Sequence, residues 1–322
     1  MLDFPRFCAI VIFVLLTTLF SFSFQEEQIT LWEEKARLGL PNAPEMVDPK
    51  TDLVAKGKKL VTQGFIKNGA KRVSQFFVCT DCHNLNRDFA DFSYKNPEAD
   101  ADYCQENNIS YLPGGTFYGM INQTSYYNDD YIKKYGDLVQ VAKNSFRESI
   151  QLCAKECSSG RRLNEEELEA TMHYLSSLQL SLKDIFNSEK EFKEYQALSK
   201  PEQKKLIQNK VAPYKTHYYG TTDLNVIKKL EGNVSKGEWL FKSSCLSCHK
   251  NERVSFYGLD DSNLSKKNLL KKLYDSENTL MTILRYGTAP VPGNKAYMPA
   301  YMEEKLSNQQ VADIIAYLND IQ

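Results

Sequence analysis

An all-α fold made of two similar modules is what the sequence predicts, and three repeated observations predict it. The pattern C-x-x-C-H occurs twice, as CTDCH at Cys79, Cys82 and His83 and as CLSCH at Cys245, Cys248 and His249. A glycine-bearing segment precedes each, VAKGKKL from Val54 to Leu60 and VSKGEWL from Val234 to Leu240. Downstream, LNEEELEATMHYL from Leu163 to Leu175 aligns without a gap with LSNQQVADIIAYL from Leu306 to Leu318. Both later segments open with a capping box, Asn164 with Glu167 and Ser307 with Gln310. Both then carry an apolar stripe at helical spacing, Leu168, Met172 and Leu175 in one and Val311, Ile314, Ile315, Leu318 and Ile321 in the other.

C-x-x-C-H is the attachment signature of c-type haem. The two thiols add across the two vinyl groups of one porphyrin, and the adjacent imidazole then lies under the iron. A lone occurrence would also suit a zinc half-site or a redox dithiol. Two occurrences in one flanking frame predict two covalently bound haem c groups, held by Cys79, Cys82 and His83 and by Cys245, Cys248 and His249.

The 322 residues, 42% of them hydrophobic, suffice for two packed modules. With 40 basic and 41 acidic side chains and a net charge of -1, nothing favours a nucleic-acid partner. Residues 1–23 read as a secretory signal, with an apolar run from Phe7 to Phe20 and small residues at Ser21 and Ser23, or as an uncleaved anchor. The body is therefore expected outside the cytoplasm, in the periplasm, with membrane contact only if that segment stays attached. Residues 24–50 follow as a short helix and a Pro-containing strap. Residues 51–180 form the first module, in which Gly57 stands 22 residues before Cys79, against eight between Gly237 and Cys245. The 70 residues from His83 to Cys153 read as a loop-rich elaboration over the first haem edge. Residues 181–230 form a charged helical linker, with helices ending near Val211 and Ala212 before Pro213 and a solvated face. Residues 231–322 form the second module.

The order of these elements resembles the class I cytochrome c fold twice over. That resemblance implies close crossing of the first and last helix of each module at Gly57 and Gly237. It also implies that Met298, before Pro299, is the distal ligand of the second haem, with Met302 as its rival. The first module has no such Met; the repeat offset of 143 carries Met298 to Lys155, between Cys153 and Cys157. Eight cysteines less Cys8 of the apolar run, less the four of the motifs, leave Cys104, Cys153 and Cys157. Two can form a disulfide, and a ferric iron would hold the third as thiolate. Met120, His173 and His217 are weaker ligand candidates.

SIQLCAKECSSGRRLNEEELEATMHYL further resembles the first-haem domain of the diheme thiosulfate dehydrogenases and of the Sox-system diheme cytochromes, through Ile150, Gln151, Cys153, Gly160 and Tyr174. This resemblance implies that Cys153 ligates the first haem and leaves Cys157 to bridge to Cys104. The reverse pairing and a Cys153 to Cys157 bridge are the alternatives. Cys157 itself, and Ser149 where those enzymes carry Arg, depart from the pattern. The function expected is electron transfer with redox partner proteins, with oxidation of a small sulfur anion such as thiosulfate at a Cys153-ligated haem; the alternative is a non-catalytic carrier. A diheme peroxidase is disfavoured, since no PxLRN-like segment is present and the chain has four His.

Overall fold

The computed structural model describes residues 29–43, 45–92, 94–127, 131–211, 219–250, 254–274, 279–289 and 297–321. The apolar leader, Cys8, Pro213 and His217 lie outside the described residues. The described chain is all-α: it contains no β-strand, only an isolated bridge between Thr30 and Ser181. None of its helices is long and apolar enough to cross a membrane.

Its described helices of seven residues or more are α1 (Leu31–Arg37), α2 (Thr51–Gln63), α3 (Pro97–Glu106), α4 (Phe146–Leu152), α5 (Glu165–Ser177), α6 (Glu189–Ala197), α7 (Lys200–Lys210), α8 (Val234–Leu240), α9 (Asn263–Leu273), α10 (Thr279–Tyr286) and α11 (Asn308–Asn319). Helix α4 runs on into a π-helical turn, Cys153–Cys157, and α8 into another, Phe241–Cys245, followed by Leu246–His249. Local sequence sets the ends. Asn164 accepts from the Glu167 amide while the Glu167 carboxylate accepts from the Asn164 amide, and Ser307 with Gln310 repeats the arrangement on α11.

Two crossings organise the molecule. A Cβ at Gly57 would lie 2.0 Å from the carbonyl oxygen of Ala170, and one at Gly237 would lie 1.9 Å from that of Asp313. Only glycine lets α2 meet α5, and α8 meet α11, backbone to backbone. Leu60, Ala170 and Leu168 pack at the first crossing, and Leu240, Val311 and Ala312 at the second.

The elaboration after His83 does not serve the first crossing alone. Asn96 caps α3, Pro97 fills its first position, and Ala101, Cys104 and Tyr111 are buried among Leu240, Leu273 and Met281. The Gln310 side chain donates to the Pro97 carbonyl at 2.7 Å, and the Ser307 hydroxyl donates to Glu98. The expected loop over the first haem edge is met by residues 113–127, which line the first cavity, whereas residues 97–111 seal the second core. Ala101 and Cys104, three positions apart on α3, share the face that packs here.

The charged segment likewise has a buried face. Phe192, Tyr195 and Ile207 of α6 and α7 pack on Leu31, Leu38 and Leu40 of the strap, together with Phe89 and Leu180. Helix α7 ends at Lys210, as the sequence predicts, but the solvated-face reading holds only for its outer side. Tyr195 donates to the buried Glu34 carboxylate, which also bonds Arg37.

Candidate functional site

A cavity of about 410 Å³ lies beside the first crossing, lined in part by residues between Pro113 and Tyr127. Cys79, Cys82 and His83 form one side of it, and Cys153, Cys157 and Met120 also reach it. Leu60, Phe77, Phe117, Phe146, Ile150 and Leu175 make its lining apolar. His83 stacks on Phe117 with ring centroids 4.5 Å apart. Its Nδ1 lies 2.6 Å from the Gly115 carbonyl oxygen. A carbonyl can only accept, so Nδ1 carries the proton and Nε2 is left as the free donor atom, the arrangement a ligating imidazole needs. Gly114 permits this, since a Cβ there would stand 2.6 Å from the His83 ring.

The second motif is held in the same way. His249 Nδ1 is 2.7 Å from the Tyr257 carbonyl oxygen and 3.0 Å from the Ser255 hydroxyl. Burial lowers the pKa of both imidazoles, favouring the neutral ring. Burial also pushes the Cys79 and Cys245 thiols up to about 12. Each motif therefore presents a thiol that burial keeps protonated beside a second cysteine and one free imidazole nitrogen, the donor set that suits a c-type haem. The motifs also meet: Cys248 Sγ lies 3.7 Å from the Asp81 carbonyl oxygen.

Met298 packs against the second core, with Leu240, Tyr301 and Leu306. Its amide donates to Thr288 Oγ1 at 2.7 Å and its carbonyl accepts from the Thr288 amide at 2.9 Å, which pins the Met298 end of the loop. Met302 goes elsewhere. It packs with Tyr219 and Ala300 and lines the first cavity. His173 is buried and its Nδ1 accepts from the Lys50 amide at 3.2 Å, so it secures the strap rather than facing the cavity.

Cys153 and Cys157 stand at the two ends of the π-helical turn, both reach the cavity, and each acts on the other's titration. Cys157 Sγ is also 3.2 Å from the Tyr135 hydroxyl, which lies 2.8 Å from the Tyr297 hydroxyl. Cys153 holds the Cys157 pKa at about 7 against the opposing effect of burial, helped by Tyr135, Tyr297 and the nearby Lys134. Burial lowers Lys134 itself to about 8. The expected Cys104 to Cys157 bridge is not formed. All seven described cysteines are free thiols, and Cys104 is buried in the second core, donating to the Asp88 carbonyl at 3.5 Å.

Sequence reasoning missed Tyr135, Tyr297, Lys134 and Arg285. The signal for Tyr135 was the dense tyrosine run before it, and for Tyr297 its place beside Met298. Arg285 is fully buried and donates to the carbonyls of Tyr301 and Leu306 and to Asn308 Oδ1, so it ties α10 to the loop after Met298. No periodicity announces such a residue.

All-helical architecture, glycine crossings and haem-type donor sets define a cytochrome c domain, and sequence comparison places one at the C-terminal region. Residues 232–318 match the family described as cytochrome c oxidase, cbb3-type, subunit III. That region implies covalently bound haem c and a role in electron transfer. Over 87 residues the chain is 34% identical to a nicotinate dehydrogenase component of Pseudomonas putida, a match that covers 27% of this chain and 7% of that protein. The chain thus spans a small part of the relative it matches. No solved structure matches it.

Proposed function

We infer that the chain is an exported diheme c-type cytochrome that passes electrons from a first haem, on Cys79, Cys82 and His83, to a second, on Cys245, Cys248 and His249. One observation carries this reading: the two motifs abut, with Cys248 Sγ 3.7 Å from the Asp81 carbonyl, so groups bound at each would lie close enough to exchange electrons directly. Met298 completes the second site and Cys153 the first. Cys157 is already turned to Tyr135 and Tyr297, which leaves Cys153 for the iron. A thiolate lowers and a thioether raises the reduction potential, so the pair gives direction to the transfer.

A second reading, oxidation of a small sulfur anion such as thiosulfate at the first site, is favoured by the cationic Lys134 close to Cys157. Spectroelectrochemical titration tests the first reading: two haem transitions of unequal potential are expected, and a single transition that accounts for all the haem would overturn it. Ferricyanide reduction driven by thiosulfate tests the second; without it the protein is a carrier between redox partner proteins in the periplasm.

A further inference from the structure

We propose that Cys153 and Cys157 are a redox-active dithiol, closing to a disulfide on the wall of the first cavity and giving up two electrons as they close. The inference rests on the two-haem reading for the destination of those electrons.

Cysteine placement singles out the pair. Four of the seven described cysteines belong to the C-x-x-C-H motifs. Cys104 has no exposed surface and a carbonyl partner, which makes it a core residue. The remaining two stand one turn apart, half-buried and lining the cavity that His83 also lines. On a regular α-helix such residues hold their Cβ atoms ~5–6 Å apart, beyond the ~3.5–4.5 Å of a disulfide. Cys153–Cys157 is instead a π-helical turn at the very end of α4, followed by Ser159 with φ of 49°. No helix follows directly that would have to shift when the turn tightens.

The surroundings supply the proton route. Cys157 contacts the Tyr135 hydroxyl at 3.2 Å, and Tyr135 contacts the Tyr297 hydroxyl at 2.8 Å. The Lys134 amine stands 4.7 Å above the Tyr297 ring. In the oxidation, the two sulfurs, which share one proton between them, join through one S–S bond. That shared proton leaves by way of the Tyr135–Tyr297 pair, and the two electrons would go one to each haem in its ferric form. Disulfide formation withdraws the Cys153 sulfur from the first iron, and reduction restores it. The first site thus has two ligation states selected by the redox history of the protein.

The holoprotein, reduced with dithionite under argon and titrated with ferricyanide, tests this directly. Wild type is expected to deliver four one-electron equivalents, one per haem and two from the thiols. Cys157→Ser is expected to deliver two and to keep both haems. Trypsin cuts after Lys155, between the two cysteines, so the oxidised protein, blocked with N-ethylmaleimide before digestion, is expected to yield peptides 148–155 and 156–161 joined by a disulfide. Cys104→Ser should change neither result. Oxidised wild type in which Cys153 and Cys157 both carry maleimide, or in which either is joined to Cys104, would overturn the inference. The haem count of the same sample, read from its mass, separates this outcome from failure of the two-haem reading: the linked peptides report on the thiols whatever the count.

Discussion

Tyr135 and Tyr297 share a hydroxyl contact of 2.8 Å across 162 residues of sequence. One end of this contact touches Cys157 and the other adjoins Met298 in the chain, so the two proposed distal sides are joined through a pair of phenols. A change in the thiol pair and a change in the Met298 loop therefore act on the same two rings.

Tyr135→Phe removes the donor that faces Cys157. Donation to a sulfur favours the thiolate, so its loss raises the thiol pKa from about 7. The pH profile of Cys157 alkylation by iodoacetamide should move to higher pH, while Tyr118→Phe, whose hydroxyl bonds Asp184 instead, should leave it in place.

Met298→Ala should abolish the charge-transfer band of methionine-bound ferric haem, and Met302→Ala should preserve it. Met298 packs with the second core whereas Met302 lines the first cavity. Loss of the band in Met302→Ala alone would assign the loop register the other way.

Gly57→Ala and Gly237→Ala each drive a methyl group into a backbone carbonyl, at 2.0 and 1.9 Å. Overpacking of this kind costs ~1–3 kcal/mol, and two helix backbones must separate to relieve it. Urea midpoints of both variants should fall. Gly258→Ala, where a Cβ meets nothing within 4 Å, should leave the midpoint near that of wild type.

Glu167 supplies a pH dependence. Burial alone would raise its pKa, but bonds from Arg161, at 2.7 Å, and from the Asn164 amide outweigh this and hold it below the ordinary 4.5. A depressed carboxylate contributes stability above its unfolded pKa and loses it as the pH falls through the lower folded value. Wild type should lose more stability between neutral pH and about pH 3 than Glu167→Gln does, as read from unfolding midpoints at each pH.

Much of the fold is legible in the sequence, for identifiable reasons. Capping boxes at Asn164 and Ser307 and the glycines at 57 and 237 act through neighbouring backbone, so a short string carries their meaning. The burial of α3 in the second core, and of the strap against α6 and α7, depends on surfaces far apart in the chain that no local period encodes. Cys104 is misread for this reason. Counting makes it a spare thiol, and only packing shows it to be a core side chain. The Tyr135–Tyr297 contact is hidden in the same way, since each tyrosine looks ordinary until the other is placed beside it.

Whether both C-x-x-C-H motifs carry haem side by side is tested most directly by the intact mass of the denatured protein, freed of non-covalent haem by acid-acetone extraction. The expected result is a polypeptide heavier by two haem groups, falling to one in Cys82→Ala/His83→Ala with the second motif untouched. A wild-type mass heavier by a single haem would contradict the two-haem assignment.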